Sequence, residues 1–157
     1  MSTKLKIGDI IPNFEAPATS DLHFKLSDYK GKSNIVLYFY PKDSTPGCTI
    51  EGNDFGALHE TFKAFDTKIF GISKDSMKRH ENFRSKQGFP FELISDIDTE
   101  ICEQFGTWQQ KKTFGKEYMG IVRSTFLIDK NSVLRQSWDS VKVKGHADEV
   151  LEAVKSL

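Results

Sequence analysis

Ile35-Val36-Leu37-Tyr38-Phe39-Tyr40-Pro41-Lys42-Asp43-Ser44-Thr45-Pro46-Gly47-Cys48 reads as a strand, a turn and the first turn of a helix. Residues 35–40 are a continuous run of β-formers, the pattern of a strand covered on both faces. Thr45 followed by Pro46 is a helix start. A threonine N-cap oxygen accepts from the orphan amides, and proline fits the first helical position without losing a bond. Cys48 then falls at the third helical position. A carboxylate commonly sits there, because free N–H groups and the positive end of the helix dipole favour negative charge. A thiolate is favoured in the same way. Gly47, lacking a side chain, leaves the approach to the sulfur open. Its neighbours are polar and turn-forming, so Cys48 reads as an activated nucleophile rather than a small buried hydrophobe.

Outward from this unit the chain alternates. Phe55, Leu58, Phe62 and Phe65 fall on one helical stripe that packs on a sheet. A strand is expected over residues 68–73, a helix over 76–87 closed by Gly88, a strand near 91–94 and a short helix over 98–105. Residues 107–120 lack a clear period and read as a loop bordering the site. Residues 124–128 and 133–138, separated by Asp129-Lys130-Asn131-Ser132, read as a hairpin, and 147–154 as a closing amphipathic helix. Turn signals at Pro12-Asn13 and Ser20-Asp21 mark the N-terminal stretch. Together these indicate an α/β fold, a mixed sheet flanked by helices.

The chain has 157 residues with no repeat or linker, so a single domain over 1–157 is expected. That length buries roughly two-thirds of the surface exposed on unfolding, and no metal or disulfide staple is needed. Lys plus Arg total 22 and Asp plus Glu total 22, so charge favours neither nucleic acid nor an anionic membrane. No stretch approaches the ~20 apolar residues of a membrane span, and Met1-Ser2-Thr3-Lys4-Leu5-Lys6 is not followed by a leader's apolar core. Two cysteines, Cys48 and Cys102, suit a reducing, cytoplasmic setting and are read first as free thiols. Neither has a metal-ligand partner at useful spacing, and His23, His80 and His146 are scattered singly. His59 lies eleven residues beyond Cys48, about 16 Å along a helix at ~1.5 Å per residue, too far for a general base.

Pro41-x-x-x-Thr45-x-x-Cys48 resembles the active-site signature of the peroxiredoxins. The surrounding YFYPKDSTPGCTIE and the later GIVRSTFLID, which carries Arg123, are similar to the bacterioferritin comigratory protein branch, the Q-type peroxiredoxins. The resemblance runs from about Ile7 to the C-terminal helix. It implies a thioredoxin-like fold with an N-terminal extension, and reduction of hydrogen peroxide or organic hydroperoxides with no cofactor, haem or metal. It makes Cys48 the peroxidatic nucleophile, oxidised to a sulfenic acid. Arg123 would bring positive charge to the thiolate and the peroxide, Thr45 would orient the peroxide through its hydroxyl, and Pro41 would shield the sulfur from water. Glu51, one turn after Cys48, either pairs with Arg123 or is an ordinary exposed helix glutamate.

The chain departs from that branch in its second thiol. Many members carry a resolving cysteine five positions after the first, where this chain has Asn53, and residues 75–88 contain none. Cys102, beside Ile101 and one turn from Phe105, reads as a core cysteine, the alternative being a resolving thiol. The reading is therefore a one-cysteine cycle in which an external thiol reduces the sulfenic acid. Thioredoxin, glutaredoxin or a small thiol would serve. The resemblance permits a monomer or weak dimer. An oxidant-sensing interaction module of the same fold is the alternative outside enzymology.

Overall fold

Two short strands, β1 (Glu15–Pro17) and β2 (His23–Lys25), pair antiparallel across a turn in which Ser20 and Asp21 take φ of 60° and 56°. The computed structural model describes residues 5–157. Of the N-terminal stretch read for a leader, residues 1–4 lie outside that range, as does the start of the expected 1–157 domain.

The chain then enters β3 (Asn34–Phe39), buried along its whole length. Successive side chains on a strand point to opposite faces, and β3 sorts the core accordingly. Ile35, Leu37 and Phe39 join Phe14, Phe24, Cys102 and Phe105 on one face. Val36 and Tyr38 join Cys48, Phe55, Phe62 and Phe83 on the other.

Beyond β3 come α1 (Pro46–Ala57) and α2 (His59–Ala64). The expected single helix through Phe55 and Phe65 is broken at Leu58, whose φ and ψ of −99° and 3° leave the helical range. Phe55 and Phe62 are fully buried, whereas Phe65 caps the end of α2 and is 41% exposed. The break lets two short helices each press one phenylalanine onto the sheet. Phe55 stacks on Tyr38 with ring centroids 4.8 Å apart, and truncating so buried an aromatic costs about 3–5 kcal/mol.

β4 (Thr67–Ser73) runs parallel to β3 and leads into α3 (Met77–Gln87). As its sequence indicates, α3 is capped by the Ser76 side chain, which accepts from the Arg79 amide, and is closed by Gly88 at φ 70°. β5 (Glu92–Ser95) lies parallel to β4, and α4 (Glu100–Gln104) is shorter than the expected 98–105.

Residues 107–120 are not a loop. β6 (Trp108–Thr113) and β7 (Lys116–Ile121) form an antiparallel ribbon. Phe114 and Gly115, both at positive φ (52° and 78°), make a two-residue turn of the type that matches strand twist. Most of the ribbon is open to solvent on both faces, so it carries no alternation of apolar and polar residues. The positive-φ position holds phenylalanine where asparagine would have announced a turn.

β8 (Ser124–Ile128) pairs antiparallel with β3 and with β9 (Leu134–Trp138), completing the sheet order β5-β4-β3-β8-β9. The β8–β9 connection is a turn folded on Asp129, whose Oδ1 accepts from the amides of Asn131 and Val133. The last helix, α5 (His146–Lys155), packs Val150, Leu151 and Val154 onto the face that holds Cys48. No helix among the described residues is long and apolar enough to cross a membrane.

Candidate active site

The carboxyl end of β3 feeds residues 41–45 into the first turn of α1. Thr45 occupies the N-cap with φ −92° and ψ 154°, Pro46 the first helical position and Cys48 the third. The cap position is as expected, but the cap bond is not. Thr45 Oγ1 does not accept from the helix amides; it donates to the Lys42 carbonyl at 2.8 Å. A proline-led first turn at the end of a tight loop turns the hydroxyl back onto its own loop. Its carbonyl holds the helix instead, accepting from the amide of Thr49 at 2.9 Å and the hydroxyl of Thr49 at 2.8 Å.

Cys48 is a free cysteine, 2% exposed. Arg123, the residue before β8, reaches it from the strand beside β3, and Nη2 donates to Sγ at 3.3 Å. Nη1 of the same guanidinium donates to Glu51 Oε1 at 2.6 Å. One planar fork thus bridges sulfur and carboxylate, with a separate nitrogen fixed on each. Gly47 makes room for it, since a Cβ there would lie 3.1 Å from Arg123 Nη2. The open space over Gly47 is therefore the seat of the guanidinium.

Glu51 is not an exposed helix glutamate. It is 1% exposed, and its Oε2 has no hydrogen-bond partner among the described residues. Burial pushes its carboxyl up to about 7, against the lowering effect of Arg123. For Arg123 burial works against the charge, but Glu51 and Cys48 together outweigh it and hold the guanidinium above its ordinary value. Tyr38, behind the sulfur on β3, is raised well above the usual phenol range, first by burial and then by the negative charge of Glu51 and Cys48. The site is a nearly dry pocket with one cation facing two groups that can be anions, where such attractions are stronger than in water.

Pro41, half-buried, sits at the edge of a groove of about 240 Å³ that it shares with Lys42, Lys74, Trp108, Lys111 and Tyr118. Lys74 Nζ lies 5.5 Å from the centroid of the Trp108 ring. The ribbon β6–β7 therefore does border the site, though as a hairpin. Cys102 is placed apart from all of these, on the opposite face of the sheet.

Sequence reasoning left aside a buried polar cluster under residues 41–45. Asp43, 2% exposed, accepts from Tyr40 Oη at 2.6 Å and meets His80 Nδ1 at 2.7 Å. His80 stood as an isolated histidine in the sequence. Nothing in the spacing of Asp43 and His80 signals their contact, because it depends on α3 packing beside the β3–α1 connection.

The sequence model of the AhpC/TSA family matches residues 7–137. Peroxiredoxin Bcp of Bacillus subtilis is 50% identical over 153 residues, covering 98% of this chain and 97% of that protein. Among solved structures, a mutant PrxQ of Xylella fastidiosa superposes with a TM-score of 0.93 at 39% identity, covering 98% of both chains. The bacterioferritin comigratory protein of Xanthomonas campestris, studied for its alkyl peroxide reduction activity, superposes with a TM-score of 0.86 at 45% identity, covering 91% of this chain and 90% of that one. The expected thioredoxin-like fold of mixed sheet and flanking helices is the one observed. A family match over most of the length, and a relative half identical over nearly all of it, agree with a cysteine set at a helix start beside a guanidinium: the chain belongs to the AhpC/TSA family, as a peroxiredoxin of the Bcp kind and so a thiol-dependent peroxidase.

Proposed function

We propose that Cys48 is the peroxidatic residue, that it reduces hydrogen peroxide and organic hydroperoxides, and that an external thiol completes the cycle. The observation that carries this reading is the 3.3 Å contact between Arg123 Nη2 and Cys48 Sγ at the third position of α1. The cation and the helix start stand where negative charge must be held on the sulfur and then on the peroxide oxygens as the reaction proceeds. With its own proton committed to the Lys42 carbonyl, the Thr45 hydroxyl offers a lone pair to the O–H of an incoming peroxide. The sulfur attacks that peroxide's near oxygen, the O–O bond breaks, and Cys48 becomes a sulfenic acid. The departing alkoxide or hydroxide takes up a proton from solvent as it leaves. Arg123 neutralises the charge that moves from sulfur to the leaving oxygen. Glu51 holds the guanidinium in place, Gly47 leaves it room, and Pro41 limits water at the mouth. The alkyl peroxide activity of the Xanthomonas campestris relative supports organic hydroperoxides as substrates.

The separation of the two thiols supports recycling by an external thiol. Cys102 is fully buried on the other face of the sheet, so a reductant from outside attacks the sulfenic sulfur. Water leaves and a mixed disulfide forms, which a second thiol, of the same reductant molecule or of another, resolves. Thioredoxin, glutaredoxin or a small thiol fits this role, with the protein acting in the cytoplasm as a monomer or weak dimer. The test compares peroxide consumption by wild type, Cys48→Ser and Cys102→Ser with each candidate reductant, and maps any mixed disulfide. Activity is expected to vanish in the first variant and persist in the second. Retained turnover without Cys48 would overturn the assignment, and loss without Cys102 would overturn the one-cysteine cycle.

A further inference from the structure

Residues 41–45 carry both Pro41 and Thr45 and end three residues before Cys48, so their placement sets the geometry of the reaction. Little within the loop fixes it. Ser44 takes φ 62°, a left-handed conformation disfavoured for serine. Beyond the Thr45 bonds to Lys42 and Thr49, the ties that reach the loop from β4 and α3 act on Asp43.

The Asp43 amide donates to Asp75 Oδ2 at 2.9 Å, and the same oxygen accepts from Ser73 Oγ at 2.6 Å, at the end of β4. Tyr40 Oη donates to one Asp43 oxygen at 2.6 Å, and His80 Nδ1 lies 2.7 Å from the other. His80 Nε2 faces the Ile94 carbonyl of β5 at 2.9 Å. Both ring nitrogens of His80 are thus engaged, one by the loop and one by β5. Asp43, Asp75 and His80 also bring one donor atom each within 4.8 Å of one another. Each of those atoms is already engaged by a protein group, which makes the cluster a clamp. His80 and Asp43 are 0% and 2% exposed, so water does not compete for these bonds.

We propose that Asp43 and His80 are positioning residues for the peroxidase reaction, tying residues 41–45 to α3 and β5 and so fixing the placement of Thr45 at the start of the helix that carries Cys48. This rests on the reading of Cys48 as the reacting sulfur. The clamp acts on the group that orients the peroxide and leaves intact the Arg123 contact with the Cys48 sulfur. Peroxide reactivity and general thiol reactivity are therefore separable in its variants.

The experiment measures two rates at Cys48 in wild type, Asp43→Asn, His80→Gln and the double variant: oxidation by hydrogen peroxide in stopped flow, and alkylation by iodoacetamide. Each single variant is expected to lose on the order of 100-fold in peroxide rate, the loss associated with displacing a reacting group by about 1 Å, with alkylation unchanged. The double variant should be no slower than the slower single one, because both remove one clamp. A wild-type peroxide rate in either folded variant, a multiplied loss in the double variant, or parallel falls in both reactions would each overturn the proposal. Should the buried substitutions prevent folding, Tyr40→Phe decides, since it removes one hydroxyl from Asp43 at little change in volume. A roughly tenfold peroxide loss is expected there, and an unchanged rate would overturn the clamp. The wild-type peroxide rate separately reports whether Cys48 reacts as proposed.

Discussion

The two cysteines of this chain are both buried and both free, yet their surroundings differ in sign. Cys48 opens a helix and has a guanidinium 3.3 Å from its sulfur. Cys102 lies within α4, where its amide donates to Asp96 Oδ2 at 2.8 Å. Burial first, and the Asp96 carboxylate second, push its thiol far above the ordinary cysteine range. Exposure does not separate these sulfurs, since each is nearly inaccessible. What separates them is whether the nearest charge is a cation or an anion, and that follows from which face of β3 each one packs against. A sheet buried on both sides lets one chain hold one thiol beside a cation and another beside an anion, both nearly sealed from water.

The largest expected effect reverses the sign at Cys48. Arg123→Met removes the cation, leaves Glu51 buried without its partner, and should lower the peroxide rate by roughly 100- to 1,000-fold, the range for losing one donor to developing charge. Stopped-flow oxidation measures it. A rate near wild type would mean that the helix start alone activates the sulfur.

Glu51 sharpens the comparison through pH. Its carboxyl is raised by burial to about 7 from an ordinary 4.5, so between those values the folded protein binds more protons than the unfolded chain. Stability contributed by this group is fully present below pH 4.5 and is lost as pH rises through about 7, a change of about 3 kcal/mol. Urea unfolding at several pH values should show Glu51→Gln gaining on wild type across that window and by a constant margin above it. A margin independent of pH would show that Glu51 keeps its charge throughout.

Gly47→Ala makes a smaller change, because its Cβ would meet Arg123 Nη2 at 3.1 Å and shift the guanidinium by a few tenths of an ångström. About tenfold in peroxide rate is expected, or ~1.4 kcal/mol, with the unfolding midpoint little altered. Smallest of all is Cys102→Ala. It should cost about 1–2 kcal/mol of stability, as the loss of a small buried group does, and leave the peroxide rate unchanged. A slowed reaction in that variant would break the contrast between the two faces.

Much of the Cys48 side of this contrast is legible in the sequence. A fully apolar strand, a Thr-Pro helix start and a cysteine at the third position are local patterns, and each comes from the conformational preferences of a few adjacent residues. The burial of Cys102 is also readable, from Ile101 and Phe105 beside it. Features that depend on distant contacts are not. The hydroxyl of Thr45 turns to Lys42 rather than the helix because of how the loop closes. The ribbon β6–β7 hides because both of its faces are largely open to solvent, so its polar and apolar residues do not alternate. Asp43 and His80, 37 residues apart, meet only after α3 packs beside the loop, and buried polar pairs leave no periodic trace.

The most direct test of the central claim is to treat the reduced protein with one equivalent of hydrogen peroxide, trap sulfenic acid with a dimedone-type reagent, and locate the adduct by peptide mass spectrometry. The trapped group is expected on the peptide carrying Cys48, with Cys102 recovered as an unmodified thiol. An adduct on Cys102, or a disulfide joining Cys102 to Cys48, would contradict the account.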